Sequence, residues 1–471
     1  MTLSQYLTTE LAKAHHSYSL RNPKSQKAYE DSTAHLPGGN TRTVIHADPF
    51  PLTFVKGDRG TLTSIDGHQY IDLLGEFSAG IFGHSDARIA DAVKDALSGG
   101  WNYGGTSVHE KEMARKVCER FGPSGMELVR FTNSGTEANT MAIGTAINVT
   151  GRKKILVFSS AYHGATLVFP LALMKGEKLA TMNLPYEFVY APYNNIDETR
   201  DILARLPRDS LAAILVEPIQ GSGGCRPGTK EFLSFLRKEA DSHGALLIMD
   251  EVMSSRLGES GYSAQMNIRA DILTLGKYIG GGMTIGAFGG RRDIMELFDP
   301  TKSKLMHAGT YNNNVVSMAA GIAGLDIYTA SEVNRLNALG EDLRKNIQSV
   351  FIKHGLYPEN FPGPSTGFVE IDSLQKNTIV QIETEGNEPI DLPPIFVTGR
   401  GSMLNVRFSG DDASLWHALF YHHMLRSGIN IAFRGYTALH LCLSTSDCDA
   451  YVRSIEAFVV EHEPMLKSML K

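Results

Sequence analysis

The sequence predicts an α/β fold, with a largely parallel central sheet flanked by helices and a small α+β lobe toward the C-terminus. Two observations predict it. Between Met126 and Gly290, short apolar runs alternate with helical patterns, the order expected of a sheet with helices packed on its faces. The runs are also apolar at nearly every position, as strands buried on both faces are.

Taken in order, residues 1–36 are polar, with helices expected over 10–16 and 26–35. Pro37-Gly-Gly-Asn-Thr-Arg42 reads as a turn followed by an arginine. Phe54 to Ile71 alternates as a small antiparallel sheet, with 58–60 and 66–67 as its turns. A loop over 76–83 leads to helical spacing over 86–98 and 107–121. The expected strands of the large sheet are 128–131, 154–158, 187–190, 212–216, 245–249, 272–275 and 285–289. Helices over 137–149 and 230–243 lie between some of them. Asn314 to Leu356 reads as one long helical region. Residues 357–400 read as loop, with Pro358, Pro362, Pro364, Pro393 and Pro394. Strands at 402–408 and 438–443 and helices at 414–427 and 447–467 complete the small lobe.

At 471 residues the chain is too long for one simple core. Its expected division is an N-terminal segment, 1–75, packing with the small lobe; a large domain, 76–325; and a C-terminal α+β domain, 326–471. Hydrophobic residues make up 42% and charged residues 20%, ordinary values for a globular enzyme. A net charge of −6 gives no electrostatic reason to expect nucleic acid or an anionic membrane as partner. The four cysteines, at 118, 225, 442 and 448, lack paired spacing. They read as reduced thiols of a cytoplasmic protein, neither a disulfide frame nor a metal site. No run of about 20 apolar residues occurs, so neither a membrane span nor a secretion signal is expected.

The chemistry centres on Lys277, in Asp271-Ile-Leu-Thr-Leu-Gly-Lys-Tyr-Ile-Gly-Gly-Gly282. A lysine at a strand end over a glycine floor has room for a flat ligand against its amine, and partial desolvation makes that amine a nucleophile. The phosphate-binding loop with a lysine is excluded, because the required glycine is Asp271 and the required Ser or Thr is Tyr278. One βαβ unit upstream, the strand Ala-Leu-Leu-Ile-Met-Asp250 delivers a carboxylate at its C-terminal end, where open α/β sheets hold ligands. An amine and an acid so placed match the needs of pyridoxal phosphate. The lysine takes its aldehyde as an imine, and the acid keeps the ring nitrogen protonated.

With these residues the sequence resembles the fold-type-I, class-III pyridoxal-phosphate aminotransferases, over nearly the whole chain from about Gln26. Within them it is similar to the branch of β-amino-acid aminotransferases and glutamate-1-semialdehyde aminomutases. Phe131-Thr-Asn-Ser-Gly-Thr-Glu-Ala138 is a strand end, a polar turn and a helix start, and by itself reads as an ordinary capped helix or an anion site. The resemblance implies that Gly135 and Thr136 cup the cofactor phosphate, with Ser134 beside them. It also implies that Tyr162 and Val252 pack on opposite faces of the ring. Met253 stands where many members carry a glutamine. His163 reads as an active-site group or a structural histidine. Glu217, in Val-Glu-Pro-Ile-Gln-Gly221, reads as a general acid or base, as a capping glutamate, or, by the resemblance, as the partner of a mobile arginine at the substrate.

Arg42 and Arg434 closely match the contexts of two substrate-carboxylate arginines in the β-amino-acid branch. The segment His307-Ala-Gly-Thr310 resembles one whose threonine reaches the phosphate of the partner subunit. The resemblance therefore implies a homodimer with composite active sites. The activity it implies is ping-pong transamination through Lys277, from an amino donor, a β-amino acid or related amine, to a keto-acid acceptor such as 2-oxoglutarate or pyruvate. The rival enzyme is an aminomutase of the glutamate-1-semialdehyde type, which needs no acceptor. A catalytically silent cofactor-binding protein would lack Lys277 or Asp250, and both are present.

Overall fold

The seven apolar runs form one seven-stranded sheet in the computed structural model, which describes residues 2–302, 305–357, 382–383, 389–390 and 392–470. Across the sheet the strands run Leu128–Thr132, Gly286–Gly290, Ile272–Gly276, Leu246–Asp250, Leu211–Val216, Lys154–Phe158 and Glu187–Ala191. Gly286–Gly290 is antiparallel to both its neighbours, and the other pairings are parallel. The 277–285 connection explains the exception, since it is too short for the crossover a parallel partner needs.

Helix Gly135–Thr150 covers one face. It turns Ala138, Ala142, Ile143 and Ala146 onto Ile155, Val157, Ala213, Leu215, Ile248 and Ile272, the one-sided spacing of a surface helix. Strand residues of opposite parity meet helix Lys230–His243, where the Phe232 ring lies 5.3 Å from those of Phe158 and Tyr193. These elements belong to a compact unit formed by Ala87–Arg335.

A second compact unit is made by Met1–Asp86 and the described residues from Leu336 onward. It holds the antiparallel strands Phe54–Asp58, Thr61–Ser64 and Gln69–Asp72, joined in parallel by the short strand Ile429–Asn430. It also holds a three-stranded sheet of Ile395–Arg400, Met403–Phe408 and Tyr436–Ala438. Helices Ala413–Arg426 and Thr445–Lys467 pack there around stacked Phe408 and Trp416, with Phe420 and Phe458 at their edges.

Several local expectations change. The first N-terminal helix is longer, Leu3–Arg21, because a Thr2 capping box starts it, and the second begins three residues earlier, Pro23–Ser32, because Pro23 can open but not continue a helix. The region 314–356 is two helices, Val315–Ile327 and Ala330–Lys353. The break falls at Tyr328, which leaves helical geometry while its hydroxyl donates to the Arg256 carbonyl. Ile395–Arg400 is a buried strand, not loop; the prolines that suggested loop stop at Pro394, just before it. The 438–443 strand shrinks to Tyr436–Ala438. Most of the proline-rich 361–395 stretch lies outside the described residues.

Candidate active site

Asp250 ends its strand buried, at 5% exposure. Its Oδ2 accepts from His163 Nδ1 and Asn139 Nδ2, each at 2.8 Å, and its Oδ1 accepts from the Val252 amide at 3.0 Å. In the sheet it stands in parallel register with Thr274. Lys277 follows three residues later, just past the strand end, half-buried and in the left-handed region at φ 55°. Carboxylate and amine therefore leave neighbouring strands at the same edge of the sheet.

Helix Gly135–Thr150 begins at this edge. Ser134 caps it by accepting from the Glu137 amide, and Asn133 ties back to the Glu137 carboxylate. The first-turn amides of Gly135 and Thr136 have no acceptor inside the helix, which makes them an anion site reinforced by the helix dipole. Gly135 and Gly164 let the segments close on one another. A β-carbon at Gly135 would lie 2.9 Å from Val252 Cγ2, whereas one at Gly276 would meet Val252 Cγ1 and the Gly135 nitrogen at ordinary contact distances of 3.4 and 3.6 Å. A β-carbon at Gly164, which has φ 121°, would collide with Thr136 Oγ1.

Ser134, Gly135, Thr136, Val252, Asp250 and Lys277 are thus brought together. The Tyr162–Gly164 loop joins them through His163 and Gly164. The Tyr162 side chain is exposed, and its backbone amide donates to Glu217 Oε1 at 2.9 Å. Glu217 Oε2 accepts from the Gly221 amide at 2.9 Å. Burial, chiefly, pushes the Glu217 carboxyl up to about 7. The charge of Asp250 adds to the rise, while His163 and the two amides oppose it. Met253 lies against Gly221, whose missing side chain makes room for its sulfur. Thr310 is exposed, on a segment whose Asn312 accepts from Asn133 beside the helix start.

Arg42 and Arg434 lie in the other compact unit. The Arg42 guanidinium sits 5.1 Å over the Phe77 ring and 3.6 Å from the Glu76 carboxylate. Phe77 stacks on Tyr436 at 6.3 Å and 6° between planes, so the chain around Arg42 and that around Arg434 meet through two rings. Burial holds the Arg434 guanidinium below its ordinary range. Glu76, Phe77 and Ser78 all carry positive φ, a costly run for side-chain-bearing residues.

The sequence reasoning did not single out Asn139 or Thr274. Asn139 is buried, its amide donates to both Asp250 and the His163 carbonyl, and its Oδ1 accepts from Thr274 Oγ1 at 2.7 Å. The available signal was spacing, since Asn139 lies one helical turn after Gly135 and is polar among the small apolar residues of the sheet-facing side.

An anion site at a helix start, an exposed aromatic face, a buried carboxylate and a strand-end lysine fit the phosphate, ring, ring nitrogen and aldehyde of pyridoxal phosphate. The Aminotransferase class-III family model matches residues 44–360. The beta-phenylalanine transaminase of Variovorax paradoxus is 41% identical over 457 residues, covering 97% of both chains. A glutamate-1-semialdehyde 2,1-aminomutase of Hyperthermus butylicus is 36% identical over 348 residues, covering 70% of this chain and 80% of its own. The crystal structure of the beta-phenylalanine aminotransferase from Variovorax paradoxus superposes with a TM-score of 0.85 at 38% identity, covering 97% of this chain and 98% of that one. The chain belongs to the class-III aminotransferases, fold-type-I enzymes that depend on pyridoxal phosphate.

Proposed function

We propose that the chain moves the amino group of a β-amino acid onto a keto acid such as 2-oxoglutarate or pyruvate, in two alternating half-reactions at one site. The observation that carries this reading is the buried Asp250 carboxylate, in register with the strand that ends at Lys277. When bound, pyridoxal phosphate supplies an aldehyde for amine exchange and a ring that draws electrons from the substrate carbon. Lys277 anchors that aldehyde. Its free amine would take the proton from the substrate carbon and return it as an acid. Asp250 holds the proton on the ring nitrogen, and the Gly135 and Thr136 amides, with Ser134 beside them, hold the phosphate. Tyr162 and Val252 pack on the two ring faces, and Glu217 acts at the substrate end by fixing the Tyr162 backbone.

Arg42 and Arg434 bind the carboxylates of donor and acceptor, since a guanidinium fork pairs two-pronged with a carboxylate. The β-amino donor is further supported by the likeness to a beta-phenylalanine transaminase. The active species in this reading is a homodimer in which Thr310 completes the partner's phosphate site. Its support is a patch of exposed large apolar side chains: Trp101 at 68%, Tyr103, Val108, Tyr311, and Met306 at 90%. Asn313 ties the two segments of the patch together through Gly105 and Glu110. Such a patch is the mark of a covered surface. Cytoplasmic operation is supported by four free thiols. Among the described residues no helix is long and apolar enough to cross a membrane.

The likeness to aminomutases gives the second reading, in which the amine stays on one substrate. A donor–acceptor panel on purified holoenzyme tests both. A β-amino acid alone should convert the absorbance of the bound cofactor, and a keto acid alone should restore it. No response to any β-amino acid overturns the proposal, and turnover of glutamate-1-semialdehyde without an acceptor replaces it with the second reading.

A further inference from the structure

We infer that Asn139 and Thr274 are positioning residues that lock the Asp250 carboxylate to the lysine-bearing strand. The inference rests on the proposed role of Asp250 at the ring nitrogen and extends it to groups that never touch the cofactor.

The parallel ladder fixes the backbones of Asp250 and Thr274 beside each other. It does not fix the carboxylate, which can still turn about its two side-chain torsions. The groups that stop it are side chains from three separate elements. Asn139 comes from the helix that starts at the phosphate cup, His163 from the loop that carries Tyr162, and Thr274 from the strand that ends at Lys277. Asn139 is the centre of the set. Its amide nitrogen donates to Asp250 Oδ2 and to the His163 carbonyl at 3.0 Å, and its oxygen accepts from the Thr274 hydroxyl. Only one orientation of the amide serves all three, because the flipped form would set its oxygen against the carboxylate. The carboxylate and the His163 carbonyl, which can only accept, select that orientation, and the Thr274 hydroxyl donates to the amide oxygen and holds it there.

His163 supplies the second hold. Its Nδ1 lies 2.8 Å from Asp250 Oδ2. The Asp250 carboxylate has about four acceptor positions, and His163, Asn139 and the Val252 amide take three. The remaining one, on Oδ1, is left for the ring nitrogen.

The test is a pH titration of the visible absorbance of the bound cofactor, run on holoenzyme alongside the cofactor dissociation constant and the melting temperature. Thr274→Val keeps the shape of the side chain and removes the hydroxyl. It should shift the titration midpoint by about half a pH unit or more, a change set by the electrostatics at the ring, and Thr274→Ser should restore the parental midpoint. Asn139→Ala should shift it further and weaken cofactor binding. Should Asn139→Ala fail to fold, Thr274→Val decides alone. Thr274→Val and every folded Asn139 variant titrating like the parent, with only the melting temperature lowered, would overturn the inference. Asp250→Asn separates the two levels. A shift in Asp250→Asn without one in Thr274→Val sinks the positioning role alone, whereas no shift in Asp250→Asn sinks the reading beneath it.

Discussion

Gly135 and Val252 approach so closely that a β-carbon on the glycine would lie 2.9 Å from Val252 Cγ2 and 3.0 Å from Cγ1. The start of helix Gly135–Thr150 and the second residue past strand Leu246–Asp250 are thus packed directly against each other. Valine is stiff about its first torsion and cannot step aside cheaply. Gly135→Ala should cost about 1–3 kcal/mol of stability and release cofactor sooner, because the strain falls on the amides that hold the phosphate. Val252→Ala added to Gly135→Ala should recover part of the stability, a coupling measurable as a double-mutant cycle of melting temperatures. Strict additivity would show that the contact is not tight.

Glu217 gives the protein a pH signature. Its carboxyl is raised to about 7 in the folded chain, above the ordinary value near 4.5, so the folded state binds the extra proton between those limits. Stability from this group is therefore full below about pH 4.5 and falls as pH rises toward 7, by up to about 3 kcal/mol. Glu217→Gln cannot titrate. The parent should be relatively most stable against it near pH 5 and lose that advantage by pH 7.5. Melting temperatures of both proteins across that range check it, and a constant difference would remove the buried, titrating carboxyl.

The two arginines should separate the half-reactions. A β-amino acid carries its carboxylate one carbon further from the reacting amine than an α-keto acid's carboxylate lies from its carbonyl. The two cannot occupy one place at a shared reaction centre. Arg42→Ala should chiefly slow the donor half, and Arg434→Ala the acceptor half, each by on the order of 2–5 kcal/mol where the pair forms out of water. Stopped-flow measurement of each half alone decides it. Equal slowing of both halves by either substitution would mean that the carboxylates share one arginine.

Composite sites make a sharp test with two inactive chains. Lys277→Ala should bind cofactor without turnover, and Thr310→Ala should bind it weakly. In a mixed dimer, one site would combine Lys277 from the Thr310→Ala chain with Thr310 from the Lys277→Ala chain. Activity should return when the two variants are co-refolded, toward about one intact site per mixed dimer. Silence in the mixture, with dimers demonstrated by mass, would place Thr310 outside the partner's site.

The large sheet, and the two strand ends that carry Asp250 and Lys277, were legible in the amino-acid sequence. Seven short runs that are mostly apolar admit little but buried strands, and each of the seven expected strands is present. Asp250 and Lys277 were legible for the same reason, since a charged residue closing an apolar run must leave the sheet at its edge. Tertiary structure decided what local pattern cannot encode. It broke the 314–356 region at Tyr328 and turned Ile395–Arg400 into a strand by pairing it with Met403–Phe408. It also chose the partners of Asp250. Asn139 and His163, which reach the carboxylate, and Thr274, which donates to Asn139, lie on three elements far apart in the chain, and only the packing of a helix start, a loop and a strand brings them together. Hydrogen-bond partners of a buried charge are set by three-dimensional proximity, and no run of neighbouring residues records that.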